Sequence, residues 1–507
     1  MDAEAAYVFR HALVRDAAYS LQLPSDRARL HELAFSLVEQ AFGGRAPEPP
    51  PLDTVDQPRF EPHPTDAVAQ ELAWHARMAL KGDSPGIAGS VLLLYLRRAA
   101  VAADRQYRPE AESLWLELAD HVPGAARAAA FRNAGEAARG RSQTQFAEGH
   151  LERALTISRD AGDRRLEGMV LGSLAILYRV TGRIEPAKTA FEQALAIHRA
   201  VSNRKSEGMA LGGLAIVYQS TGHVGQAEGT FEQALAIHRS VGDRRSEGIV
   251  LGALAVVFQN TGRNDQAERA YEQALAIHRE VGNFRSEGMT LGNLAILYSE
   301  TGRVEQAERT HQQALAIHRE VGNRRSEGVA LGNLAPLYSS TGRVELAERT
   351  YERALAIHRE VGNRQFEGVT LGNLASTYKN AGRIELAEQT YETALAIHRE
   401  VGHRRFEGVT LGHLADVYEN TGRVELAEHA YELALKIHRE VANRQFEAVA
   451  LCSMACLYGA TARTEAAQTA WQQGASILRA LGDSHELERQ TAAMRVACAK
   501  AGVAPFE

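Results

Sequence analysis

Along most of this chain, apolar and small side chains recur at helical spacing. In one stretch Leu291, Leu294, Ala295 and Tyr298 fall at i, i+3, i+4 and i+7, the stripe of one helix face. Thr301-Gly302-Arg303 breaks the stripe, with Gly302 suited to the left-handed position that ends a helix. A second amphipathic run follows through Val304, Ala307, His311, Ala314, Leu315 and Ile317, and Val321-Gly322-Asn323 ends it. The pair of runs then starts again. From about residue 161 to about 447 the sequence aligns with itself, without gaps, at a period of 40 residues. Each period predicts a helical hairpin. One hairpin cannot bury its apolar face alone, so neighbours must stack into a continuous core. The predicted fold is all-α, an α-α superhelical solenoid, in which chain length does not set domain count.

Nine units are expected over 128–483: 128–167, 168–207 and so on in steps of 40, the last beginning at Ala448. The first and last diverge most, as terminal repeats with one solvated side should. A degenerate extra unit is expected at about 88–122, through Tyr95, Ala99, Ala111 and Trp115, inside a helical region 67–127. Ser484 to Ala501 reads as one capping helix within a tail 484–507. Residues 43–66 hold half of the chain's 14 prolines and are expected to form a linker or loop, after a helical segment 1–42.

Composition narrows the function. With 507 residues, 45% hydrophobic, 24% charged and only 6% aromatic, the chain is neither a disordered tail nor a membrane bundle. A net charge of −6 gives no expectation of direct nucleic-acid or anionic-membrane binding. Three cysteines are too few for a disulfide framework. The longest apolar run, Val91 to Leu96, stops at Arg97-Arg98, short of a membrane span. The first residues lack the basic and apolar regions of a signal peptide. A cytoplasmic location follows as the expectation.

Leu291, Leu294-Ala295, Tyr298, Ala307, His311 (Tyr or Phe in most sister units) and Ala314 resemble the spaced signature of tetratricopeptide repeats. The unit here is 40 residues instead of the family's usual 34, and Arg319 stands where the family has a helix-ending proline. In "GD/N-R-x-x-E-G" and "N-L-A/G-x-x-Y" the variant resembles the repeats of kinesin light chain and of Pins/LGN-type mitotic scaffolds. Near the N-terminus, Phe9, His11, Leu13, Asp16, Tyr19 and His31 resemble the segment following the ATPase core of bacterial STAND-type signalling ATPases. No G-x-x-x-x-G-K-[ST] occurs, so no phosphate-cradling loop accompanies that resemblance.

Candidate chemistry is sparse. His198, His238, His278, His318, His358, His398 and His438 recur at one repeat position. A metal needs ligands converging on a point, whereas residues one unit apart are spaced by roughly a helix-packing distance of 10 Å, so a structural ladder is expected. Cys452 and Cys456, four apart, read as small core residues. No nucleophile–base pair, carboxylate pair or metal set stands out, so no enzyme, cofactor or metal is expected. Gly172 through Gly412, at steps of 40, sit inside first helices. Each costs about 1 kcal/mol against Ala. Close packing between units, or an opening for a partner's backbone, would account for them.

Asn293, Asn333 and Asn373 occupy one position of three consecutive units. A primary amide both donates and accepts, so such a row can bind a main chain. The kinesin light chain resemblance implies that this asparagine lines the concave groove and contacts cargo peptide. The same resemblance places two apolar rows in the groove. Met169, Met209, Ile249 and Met289 form one, continued by Val329, Val369 and Val409. Ile176, Ile216, Val256 and Ile296 form the other, continued by Pro336, Ser376 and Asp416. The groove is thus expected to be apolar toward its N-terminal side and polar toward its C-terminal side. Two functions follow as expectations: a non-enzymatic scaffold binding a partner's peptide or helix in this groove, or the sensor part of a split or truncated STAND-type ATPase or transcriptional regulator.

Overall fold

A computed structural model of the chain describes residues 19, 22–52, 61–82, 86–106 and 108–506. All regular secondary structure among them is helical. Phe9, His11, Leu13 and Asp16 lie outside the described residues. The chain divides into two compact units, residues 1–138 with 149–166, and residues 139–148 with 167–507.

The first unit holds α1 (Pro24–Ala41), α2 (Ala69–Lys81), α3 (Gly89–Arg105), α4 (Glu110–His121) and most of α5 (Gly124–Gly140) and α6 (Thr144–Asp160). Its core gathers Phe35, Leu72, Tyr95, Leu96 and Trp115. The described parts of the proline-rich stretch, residues 43–52 and 61–66, are each tied to α3. Buried Arg98 donates to the Pro47 carbonyl at 3.0 Å and to Asp66 Oδ1 at 2.6 Å, and the Tyr95 hydroxyl donates to Glu39 Oε1 at 2.7 Å. Tyr19 and His31 do meet, with the tyrosine hydroxyl 2.7 Å from Nε2. The other His31 nitrogen faces His75 Nδ1 at 2.8 Å.

The second unit is the repeat array. Its hairpins are α7 (Arg164–Val180) with α8 (Ile184–Ala200), α9 (Arg204–Ser220) with α10 (Val224–Ser240), α11 (Arg244–Asn260) with α12 (Asn264–Glu280), and α13 (Phe284–Glu300) with α14 (Val304–Glu320). Then come α15 (Arg324–Ser340) with α16 (Val344–Glu360), α17 (Arg364–Asn380) with α18 (Ile384–Glu400), α19 (Arg404–Asn420) with α20 (Val424–Glu440), and α21 (Arg444–Ala460) with α22 (Thr464–Leu481). Helix α23 (Ser484–Ala501) packs on α21 and α22.

Two short turns repeat throughout. After α13, Gly302 takes φ 76° and Arg303 N–H returns to the Tyr298 carbonyl at 2.7 Å. After α14, Asn323 N–H returns to the His318 carbonyl at 2.8 Å, and the Asn323 side chain caps α15 by accepting from Ser326 N–H at 3.1 Å. These bonds satisfy amides and carbonyls that helix ends leave open.

First helices of neighbouring units touch one another directly from α9 through α21, and second helices make no comparable contact with each other. The first helices are therefore the inner layer of the curve and the second helices the outer. The winding brings distant units together. A Cβ on Gly182 would lie 2.9 Å from Val441 Cγ1, and one on Gly222 would lie 2.2 Å from Leu481 Cδ2, in both cases six and a half units along the chain.

Polar clamps join successive hairpins. The Glu247 carboxylate is buried and accepts from Arg239 Nε at 2.8 Å and Arg244 Nη1 at 2.6 Å, while Arg244 Nη2 reaches Glu280 at 2.6 Å. Burial alone would raise the Glu247 carboxyl, but the two guanidinium groups hold it below its usual range. A second clamp sets Arg303 over the Tyr298 ring at 4.3 Å and against Glu268 at 3.0 Å. Glu308, Glu348 and Glu388 make this same pairing with Arg343, Arg383 and Arg423.

The seven recurrent histidines are buried on the second helices, each against a first-helix glycine of its own hairpin. That glycine is not the one singled out in the sequence. A Cβ at Gly172, Gly292, Gly372 or Gly412 meets nothing within 4 Å, and one at Gly212, Gly252 or Gly332 makes only ordinary contact. Close packing therefore does not explain the Gly172–Gly412 row. It falls four residues earlier, at Gly168 through Gly408, where a Cβ would come 2.4–2.8 Å from the imidazole.

Candidate partner-binding face

On each first helix, positions such as 205, 209, 213 and 216 share one face. The structure leaves Met209, Ile249 and Met289 exposed at 59%, 49% and 55%, on helices that form the inner layer. Met169 is half-buried. Ile176, Ile216, Val256 and Ile296 are also half-buried and serve two surfaces. Ile176 packs against Ala187, Phe191 and Leu214, and Val256 against the cluster around Tyr271 and Leu291, each with one side left to solvent. Asn293 and Asn333 are half-buried and Asn373 is exposed.

What lies beneath each inner-face position changes along the array. Phe191 fills the space above which Gly213 stands, since a Cβ there would lie 2.3 Å from the ring. Phe191 and Phe231 carry no hydroxyl, and the residues at the second row nearby, Ile176 and Ile216, are apolar. Farther along, Tyr391 OH pairs with Ser376 Oγ at 2.7 Å, and Tyr431 OH donates to Asp416 Oδ1 at 2.7 Å and Glu419 Oε2 at 3.2 Å. Lys379 Nζ donates to the other Asp416 oxygen at 3.0 Å. Burial raises the Glu419 carboxyl above its usual range. The polar second-row residues Ser376 and Asp416 thus partner the phenol beneath them, whereas Tyr271, beneath apolar Val256, donates to Gln259 at 2.9 Å.

Sequence reasoning missed a basic row. Lys205, Arg245, Arg285, Arg325 and Arg405 stand four residues before the methionine row on the same helix face, with Gln365 interrupting them. Arg325 Nη1 donates to the Gly140 carbonyl. Each is the second residue of a first helix, after Arg204, Arg244, Phe284, Arg324 and Arg404, a place where a charge is usually solvated.

Cys452 and Cys498 are buried among Ala455, Trp471, Leu478 and Met494, and burial pushes the Cys452 thiol up to about 12. Among the described residues no three His, Cys, Asp or Glu side chains converge as metal ligands would. No helix among them is long and apolar enough to cross a membrane.

The Tetratricopeptide repeat family profile matches residues 126–200 and overlapping windows 206–280, 246–320, 286–360, 326–400 and 366–440. The chain belongs to the tetratricopeptide-repeat family. Among solved structures, the Rap protein complexed with Competence and Sporulation Factor aligns over 74% of this chain and 99% of that one, at 13% identity and a TM-score of 0.50. BtubC (BKLC) from P. vanneervenii aligns over 43% of this chain and 91% of that one, at 24% identity and a TM-score of 0.37. A Podosopora anserina putative kinesin light chain with nearly identical TPR-like repeats covers 38% of this chain and 94% of that one, at 26% identity and a TM-score of 0.31. No curated protein sequence matches the chain. The tetratricopeptide array accounts for the hairpins, their turns and the Ala-rich contacts between helices.

Proposed function

We propose that this chain is a non-enzymatic protein-interaction scaffold whose inner face holds a peptide or helix of a partner protein. One observation carries the reading. Met209, Ile249 and Met289 keep about half or more of their surface in water, one per unit, and the carboxamide row of Asn293, Asn333 and Asn373 continues from the helix that carries Met289. Exposed apolar area is unfavourable in water and is removed when a partner covers it. Methionine adapts its shape to what it covers. The amides would fix the partner's main chain while the apolar row supplies contact area. A chain of the same fold, the Rap protein, was solved with Competence and Sporulation Factor bound, so the architecture can host a second molecule.

The test begins with a pull-down on the intact chain and mass spectrometry to supply a partner, which is then titrated. Replacing Met209, Ile249 and Met289 by Ser exposes no core, so the fold should stand while affinity falls. At roughly 25 cal/mol per Å² of apolar area covered, the loss should be at least tenfold. Unchanged affinity with helicity intact would overturn the reading.

A further inference from the structure

Where the windings of the second unit meet, a cavity of 190 Å³ opens between residues 179–184 on one side and residues 365, 403–406 and 441–443 on the other. Two arginines line it, Arg179 near the end of α7 and Arg405 at the start of α19, and no carboxylate does. We infer that this cavity binds a tetrahedral oxyanion, free phosphate or a small phosphomonoester, between Arg179 and Arg405.

The charges support this. Neither guanidinium has an ion pair among the described residues. Both are pushed below the usual arginine range by burial, and Arg179 is pushed further by the nearby Arg139 and Arg405. His403, also in the lining, is lowered to about 3, first by burial and then by the neighbouring His398 and Arg405. Its Nε2 is 3.2 Å from Gln365 Nε2. Two desolvated cations with no acid beside them are costly, and an anion between them removes the cost. A dianion neutralises both, and guanidinium forks match tetrahedral oxygens bidentately. A monovalent carboxylate would leave one charge over.

The repeat register supplies an independent argument. One and two units after Arg179 the residue is Gln219 and Gln259, and on either side of Arg405 it is Gln365 and Gln445. Cations meet here because the winding brings these two units together. An ion between them would link helices six units apart and hold the turn closed.

The same register makes the test clean, because Arg179→Gln and Arg405→Gln install residues that sister units already carry. Inorganic phosphate is titrated into the intact chain by calorimetry at constant ionic strength, with chloride as the balancing salt. One saturable site is expected, weakened roughly ten- to a hundredfold by either substitution. Arg245→Gln, on the same row as Arg405 but away from the cavity, should leave it unchanged. Glycerol phosphate is the second arm: tighter binding than phosphate points to an ester, weaker binding to the free ion. Phenylglyoxal modification of the wild type, mapped by mass spectrometry, needs no variant. Phosphate should protect Arg179 and Arg405 selectively over Arg245. No saturable heat, equal loss in the Arg245 variant, or no selective protection would overturn the assignment.

Discussion

His358 occupies the space that a side chain on Gly328 would need: a Cβ there would lie 2.7 Å from His358 Cε1 and 3.1 Å from Ile357 Cγ2. Six other units repeat the pairing. The last unit replaces both members at once, with Ala448 against Leu478 in one buried cluster. Glycine to alanine in a helix interior ordinarily stabilises by about 1 kcal/mol. Here overpacking opposes it by about 1–3 kcal/mol, so Gly328→Ala should be neutral to destabilising. Adding His358→Leu should recover most of the loss. Urea unfolding of the two single variants and the double measures the coupling. A stabilised Gly328→Ala would show that the imidazole moves aside freely.

The same burial makes the array acid-sensitive. Burial, with neighbouring arginines at some sites, lowers His318, His358, His398 and His438 to about 4, against a usual 6.5. Between those values the unfolded chain binds protons that the folded chain refuses. Stability is therefore full above pH 6.5 and is lost as pH falls from there toward 4, by about 1.4 kcal/mol per histidine per pH unit. Melting temperature at pH 5.5 should lie well below that at pH 7.5. The Gly328→Ala/His358→Leu double variant should show a shallower dependence. A flat profile from pH 7 to 5 would contradict neutral burial.

Much of this was legible along the chain because it is local. The hairpins, the turn at Gly302 and the burial of Leu291, Leu294 and Ala295 all follow from spacing within one period. The packing glycine was misassigned because periodicity shows that Gly168 and Gly172 lie on a helix, and says nothing of which one faces His198. Phenol–carboxylate pairs such as Tyr431 with Asp416 needed the relative height of two helices. The meeting of Arg179 with Arg405 needed the pitch of the winding, which sums a small rotation over six units and leaves no mark on any single one.

Glu247 tests what joins the units. Its carboxylate is buried between Arg239 and Arg244, whose own side chains are about half exposed. Glu247→Gln keeps the size and removes the charge, so both charge-assisted bonds weaken, at a cost of about 1–3 kcal/mol. In an array held by neighbour contacts the effect should stay near the α10–α11 junction. Hydrogen exchange should quicken around residues 241–250 and remain unchanged in α19 and α20. Uniform acceleration would mean that the array opens as one body.

The carboxamide row carries the last prediction. If Asn293, Asn333 and Asn373 hydrogen-bond a partner's main chain, replacing all three by Ala should weaken binding while the array stays folded. Two are half-buried and one exposed, so truncation opens no cavity and stability should change by only a few tenths of a kcal/mol each. Each lost bond is worth about 0.5–1.5 kcal/mol, so affinity should fall by roughly one to three orders of magnitude. A control set on the outer layer must avoid Glu308, Glu348 and Glu388, which hold Arg343, Arg383 and Arg423. Gln233, Gln273 and Gln313 are exposed on second helices and present the same amide. Their triple Ala variant should bind as wild type does. Equal affinity of wild type and the Asn variant, with circular dichroism unchanged, would reduce the row to a polar stripe on a solvated helix face.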